Sequence, residues 1–316
     1  MLIQLMRTTV AAMWMLSVAA TAMGQDLKFK TGGEGLLTFD TGVVRGKLAA
    51  GPQSQGLTSL VDVKTGKELA HGSQEYGIFS VYRLLYTDGR WGHAGWEMPK
   101  EAKLTTDDAA QITWPAKDEH PVAMTAIYRW TAADTLDLEL SAKPEKDAPR
   151  FELFLASYFN NDCRADVYLK PGFHTQGKPA LVAAEVSLLT VGTYLAFPRD
   201  RAAAQSFFDA RWDKEPNPVQ WSVTRYMAGP LAVQRDEKAN IDVALMAQPE
   251  DCFAIDMPYN MTPPDGVAGH HSTYFSLFGK DVKAGETVKA RLRLLVGTEL
   301  KAEKILEAYR EFCGKR

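Results

Sequence analysis

Three stretches of the chain carry residues that could bind or react. "GRWGHAGWEMP" puts Trp91, His93 and Trp96 in a glycine-rich loop. Gly92 and Gly95 let the backbone turn sharply while the indoles splay outward. Indole faces stack on the apolar faces of sugar rings, which would justify two exposed tryptophans; the same rings could instead fold under as core plugs. "ASYFNNDCRADVY" adds Tyr158, Asn160, Asn161, Asp162 and Arg164. Their amide, carboxylate and guanidinium groups suit hydroxyl-rich ligands, although an Asn-Asn-Asp triplet is also a common turn between strands. "WSVTRYMAGP" supplies Arg225 and Tyr226. An arginine on a strand can grip a carboxylate or sulfate in a fork, or neutralise a carboxylate of the chain itself.

The six histidines are His71, His93, His120, His174, His270 and His271. The last two are adjacent at the start of a strand-like run. Neighbouring side chains of a strand face opposite ways, so both cannot line one cleft. His271, Thr273 and Phe275 would share one face; His270, Ser272, Tyr274 and Ser276 would share the other. The second face is the more polar and the better groove wall, which makes His270 the candidate. His93, His174, His270 and Asp256 could in principle gather round Zn²⁺ or Ca²⁺. No pair has His-x-x-x-His or Cys-x-x-Cys spacing, so no metal is expected. The chain holds no Gly-x-Ser-x-Gly elbow, phosphate loop or dinucleotide fingerprint, and no cofactor is expected.

Strand signals dominate the segments that would position these side chains. "YGIFSVYRLLY", "AMTAIYRWTA", "RFELFLASYF", "IDVALMAQP" and "VKARLRLLVG" are rich in β-branched and aromatic residues. Leu136, Leu138 and Leu140 alternate with Asp137 and Glu139, putting one face on a core and one in water. Short strand-to-turn spacing predicts an all-β, antiparallel sandwich rather than βαβ units. "DRAAAQSFFDARW" predicts a short helix on a loop. Ala302, Ile305, Leu306, Tyr309 and Phe312 form one apolar stripe, predicting a C-terminal helix over 299–313 that packs on the sandwich.

Composition bounds the class. The chain has 316 residues, 46% hydrophobic and 24% charged, enough apolar material for a large core. The net charge of -3 and the lack of a basic stripe argue against a nucleic-acid partner. Arg7, the apolar run "TVAAMWMLSVAATA", and small Ala22 and Gly24 before Gln25 read as a signal peptide over 1–24. The expected location is therefore periplasmic or secreted, with residues 25–316 as one β-sandwich domain that includes the helix. That apolar run is short for a membrane span and no second run approaches about 18 apolar residues, so no span is expected in the mature chain. Cys163, Cys252 and Cys313 are far apart; one pair could bond, or all three could be plain thiols.

The C-terminal third resembles the galactose mutarotase-like family, the large β-super-sandwiches of aldose epimerases and of domains in many carbohydrate-active enzymes. "DCFAIDMPYNMTPPD" (251–265), "HHSTYFSLFG" and "KAGETVKARLRLLVG" carry the likeness, and "GLTSLVDVKTGKEL" is similar to the opening hairpin. The resemblance puts Asp256 in the place of the acidic general base, a glutamate in epimerases. It puts Pro264 and Asp265 in the following loop, and Ala284, Gly285 and Glu286 in the closing turn. His93 and His174 fall at places comparable with the catalytic histidines. The resemblance implies a super-sandwich acting on a mono- or oligosaccharide in an epimerase-like reaction. Asp256 would be the base and His93 or His174 the acid, because imidazole and carboxyl groups can be tuned toward neutral pH. Trp91, Trp96, Tyr158, Asn161, Arg225, Tyr226 and His270 would hold the sugar. A non-catalytic glycan-binding module, or an accessory protein of a polysaccharide lyase or hydrolase, would use the same frame.

Overall fold

The computed structural model describes residues 27–52, 54–71, 77–186, 193–258 and 271–314. The expected signal peptide and His270 lie outside the described residues. Among the described residues the strands form sheets of four, nine and seven members. The four-stranded sheet runs in chain order from Lys30–Gly33 to Ser54–Asp62. The nine-stranded sheet begins at Ala180–Ala183 and ends at Glu101–Leu104, with Val288–Thr298 and Thr135–Pro144 near its middle.

The alternating leucines explain the nine-stranded sheet. Leu136, Leu138 and Leu140 are buried, and Leu138 pairs with Leu292 across the ladder. On the other face Asp137 sits opposite Arg293 and accepts from its Nε at 2.6 Å and Nη2 at 2.7 Å. One strand thus contributes to the core and to a cross-strand ion pair, as period-two patterning requires.

The seven-stranded sheet has the spatial order Ser222–Val223, Tyr194–Pro198, Cys252–Pro258, His271–Val282, Ala148–Phe159, Ser80–Tyr86 and Gly89–Trp91. Ser222–Val223 runs parallel to Tyr194–Pro198; the other pairings in this sheet are antiparallel. Leu153, Leu155, Ile255, Phe275 and Leu277 point into the main core shared with the nine-stranded sheet. The opposite face is also covered. Phe154, Ala156, Tyr158, Ala254 and Tyr274 pack there against Phe207, Trp212 and Trp221. Burial on both faces explains why these strands read as nearly continuous apolar runs.

The cover comes from the expected helical loop. It forms one short helical turn, Arg201–Ala204, followed by the 3-10 turns Gln205–Phe207 and Arg211–Asp213. Asp200 caps the first turn by accepting from the Ala203 backbone N–H at 2.8 Å. The C-terminal helix spans Ala302–Gly314 and buries Ile305, Tyr309 and Phe312 against Leu231, Val233, Ala244 and Met246 of the nine-stranded sheet. Gly229 makes that seat possible, because a Cβ there would lie 2.4 Å from the Tyr309 hydroxyl oxygen. All three cysteines are free thiols.

Candidate functional site

Asp256 lies on the covered face of the seven-stranded sheet, opposite Tyr274 on one side and Ala196 on the other. Its side chain has no solvent exposure. Oδ2 stands 2.7 Å from the Ser276 hydroxyl, and that hydroxyl stands 2.7 Å from Oε1 of Glu152. Oε2 of Glu152 accepts from Arg211 Nη1 at 2.8 Å, with both side chains fully buried. Arg211 then grips Asp209 with two bonds, from Nε and Nη2, each 2.8 Å long. Three strands and the cover thereby meet in one chain of polar groups.

Proton counting limits its state. Ser276 has one proton and can donate to only one of the two carboxyls. Burial holds the Asp256 carboxyl well above the usual carboxylate range, and the nearby charge of Glu152 adds to the effect. Burial also raises Glu152, against the pull of Arg211 and Ser276. The arrangement that satisfies the chain has Asp256 protonated and donating to Ser276, which donates to an ionised Glu152 held by Arg211. Oδ1 of Asp256 finds no hydrogen-bond partner among the described residues, nor do the indole N–H groups of Trp212 and Trp221.

The two candidate histidines do not join Asp256. His93 is exposed and lines a cavity of about 730 Å³ with Asp88, Arg90, Glu97, Glu119 and Lys214. That cavity lies beside Gly89–Trp91, at one edge of the seven-stranded sheet. Lys214 is paired with Asp88 at 2.9 Å, and Arg90 donates to the Pro216 carbonyl at 2.9 Å. His174 sits in the 3-10 turn Phe173–Thr175 and lines a separate cavity of about 600 Å³ with Arg225 and Tyr226. That cavity includes Leu195 and Ser222, at the opposite edge of the same sheet. The strand order separates the residues that the acid/base reading would bring together.

The two tryptophans of the glycine-rich loop part company. Trp91 pairs with Leu84 and packs on the main core, 4.7 Å from the Tyr86 ring and 6.2 Å from Phe151. It is the plug of the two uses open to it. Trp96 instead stacks on Tyr82, with centroids 4.7 Å apart and planes 14° from parallel. Gly95 permits this: a Cβ there would fall 2.0 Å from the Val81 carbonyl oxygen, while its N–H donates to the Tyr82 carbonyl at 2.7 Å. Lys100 Nζ donates to the Trp96 carbonyl at 2.6 Å, and burial pushes its pKa down to about 8.

Tyr158 is buried, with its hydroxyl 3.4 Å from that of Tyr274. Asn161 is exposed in the turn before Cys163–Leu169, and its backbone carbonyl accepts from Arg164 at 2.8 Å. Asn160 Oδ1 accepts from the Asp162 N–H at 2.9 Å, so the triplet builds a turn. Asp162 is bound by Lys67 at 2.7 Å and Lys238 at 2.8 Å. Arg225 donates to the carbonyls of Ala183 and Ala184 rather than to Asp256. His271 faces the core side with Thr273 and Phe275, and its ring lies 3.2 Å from Arg164 Nη1. Among the described residues no group of three or more His, Cys, Asp or Glu side chains could hold a metal, and no helix is long and apolar enough to cross a membrane.

Sequence reasoning missed the partners of Asp256. The available signal was Glu152, a carboxylate set between Phe151 and the apolar run "LFLASYF". A carboxylate at such a place needs a partner, although nothing local says that Arg211 is the one.

No protein-family model matches the chain, and no curated protein matches it. Solved structures do. A protein of Escherichia coli K12 described as a candidate aldose 1-epimerase superposes with a TM-score of 0.54 at 10% identity, covering 84% of this chain and 100% of that one. A TPR-domain containing protein from Parabacteroides distasonis gives 0.51 at 10% identity, over 85% of this chain and 48% of that one. Galactose 1-epimerase from Lactobacillus acidophilus gives 0.49 at 12% identity, over 87% and 100%. The architecture is that of the galactose mutarotase-like β-super-sandwiches, with a short C-terminal helix.

Proposed function

We propose that this chain is an exported carbohydrate-binding protein, one domain over residues 25–316, which recognises a sugar without interconverting anomers at Asp256. The observation that carries this reading is the sealed Asp256–Ser276–Glu152 chain. A general base must be ionised and within reach of the proton that it takes. Asp256 has no exposure, is hydrogen-bonded to Ser276, and is held by burial well above the usual carboxylate range. Neither His93 nor His174 shares its surroundings. The mutarotase-like fold and an open cavity bearing Phe173 and Tyr226 support a sugar ligand. Arg7 and the apolar run that follows it support export to the periplasm or beyond.

Two measurements test the proposal. Proton NMR of freshly dissolved α-glucose or α-galactose follows anomerisation directly; the rate is expected to stay at the buffer value when protein is added. Acceleration would restore the epimerase reading. A glycan array is expected to retain the protein on at least one class of oligosaccharide, and failure on every class would remove the carbohydrate reading.

A further inference from the structure

The cavity at the open edge of the sandwich has a chemistry of its own. It draws Leu169 from the nine-stranded sheet and Leu195 from the seven-stranded one, so it lies between the two layers. Among the described residues its charged lining is cationic: Lys170 and Arg225 contribute, and no aspartate or glutamate does. The other cavity differs. There Lys214 is already paired with Asp88, and Glu97 and Glu119 add negative charge.

Arg225 is half-buried and, among the described residues, is held by neutral groups. It donates to the Ala183 carbonyl at 3.2 Å and to that of Ala184, and its guanidinium lies 4.9 Å over the Phe197 ring. Burial depresses its pKa. Carbonyls and a ring orient a guanidinium but do not neutralise it, so a desolvated cation here gains from an anion. Phe173 stands at the same cavity with 94% of its surface exposed. His174 packs edge-on against it, with ring centroids 5.1 Å apart at 86°. An aromatic face held out beside hydroxyls of Ser222, Thr224 and Tyr226 is suited to the CH face of a pyranose.

We propose that this cavity binds an anionic sugar, with Arg225 taking the carboxylate or sulfate and Phe173 stacking on the ring. The proposal rests on the carbohydrate reading above and names its ligand class.

Isothermal titration with four probes tests it: an oligogalacturonide, a sulfated galactan oligosaccharide, a neutral galacto-oligosaccharide of equal length, and sodium sulfate alone. At least one acidic oligosaccharide is expected to bind about tenfold or more tighter than the neutral one, as a charge-assisted hydrogen bond permits. Which of the two wins distinguishes a uronate from a sulfate ester. Arg225→Gln is expected to erase that preference, and Arg225→Lys to restore part of it. Phe173→Ala, at a surface position that folding does not need, is expected to weaken every oligosaccharide. Equal binding of acidic and neutral probes would overturn the anionic class while leaving carbohydrate recognition standing. Sulfate alone competing as well as the oligosaccharides would reduce the cavity to a simple anion site. Acidic binding untouched by either Phe173→Ala or Arg225→Gln would place the ligand elsewhere, and no binding by any sugar would count against both readings.

Discussion

Oδ2 of Asp256 and the hydroxyl of Ser276 stand 2.7 Å apart in a place without solvent exposure. With Glu152 on the far side of the same hydroxyl, one of the two carboxyls must carry a proton, and Arg211 beside Glu152 favours Asp256 as its holder.

A pH dependence follows from that proton. The folded pKa of Asp256 lies above its unfolded value, so the folded state binds the extra proton. Stability from this group is fully present below about pH 4 and is lost as pH rises toward the folded pKa, with a slope of at most about 1.4 kcal/mol per pH unit. Asp256→Asn keeps the shape and removes the titration. Urea midpoints measured between pH 5 and 8 are expected to fall with pH in the wild type and to be flatter in the variant. Parallel profiles would mean that Asp256 is ionised in the fold.

Glu152 and Arg211 form a pair in which neither side chain touches solvent. Arg211→Met leaves Glu152 and Asp209 without their cation, and a loss of about 3–5 kcal/mol is expected. Adding Glu152→Gln to that variant is expected to recover a measurable part, because one buried charge then disappears. Denaturant titration of the two single variants and the double variant gives the coupling directly.

The elements were legible because period and burial agree in them. Leu136, Leu138 and Leu140 alternate and lie inside; Ile305, Tyr309 and Phe312 recur at helical spacing and lie inside. Even the two faces of the strand after His270 were readable, with His271 and Phe275 on the core side and Ser276 on the other. Strand order was not readable. Nothing in a linear pattern says that His93 and His174 flank opposite edges of one sheet with Asp256 in a strand between them. Ser276 meets a glutamate 124 positions away, a distance at which local propensity carries no information. Trp91 and Trp96 looked alike in sequence because both follow glycine-rich turns. A three-residue strand turns one inward, and close backbone packing at Gly95 sets the other on Tyr82.

Gly95→Ala tests that packing. The added methyl would fall on backbone, the Val81 carbonyl, which has no rotamer to yield. Overpacking at its upper range, about 3 kcal/mol, is expected. Thermal unfolding measures it; a midpoint matching the wild type would mean that the loop can lift without loss.

The helix seat offers a gentler case. A methyl at Gly229 meets the far end of Tyr309, which can partly move away. Gly229→Ala is expected to cost about 1–3 kcal/mol, and less when Tyr309→Phe removes the hydroxyl oxygen. A double-mutant cycle in urea should show that coupling. Independence of the two substitutions would mean that the ring does not rest on the glycine.

The seven-stranded sheet tapers to two residues at Ser222–Val223 and three at Gly89–Trp91. Borders this brief give a second chain almost no ladder to extend, which guards a protein rich in apolar strands against runaway stacking as it concentrates.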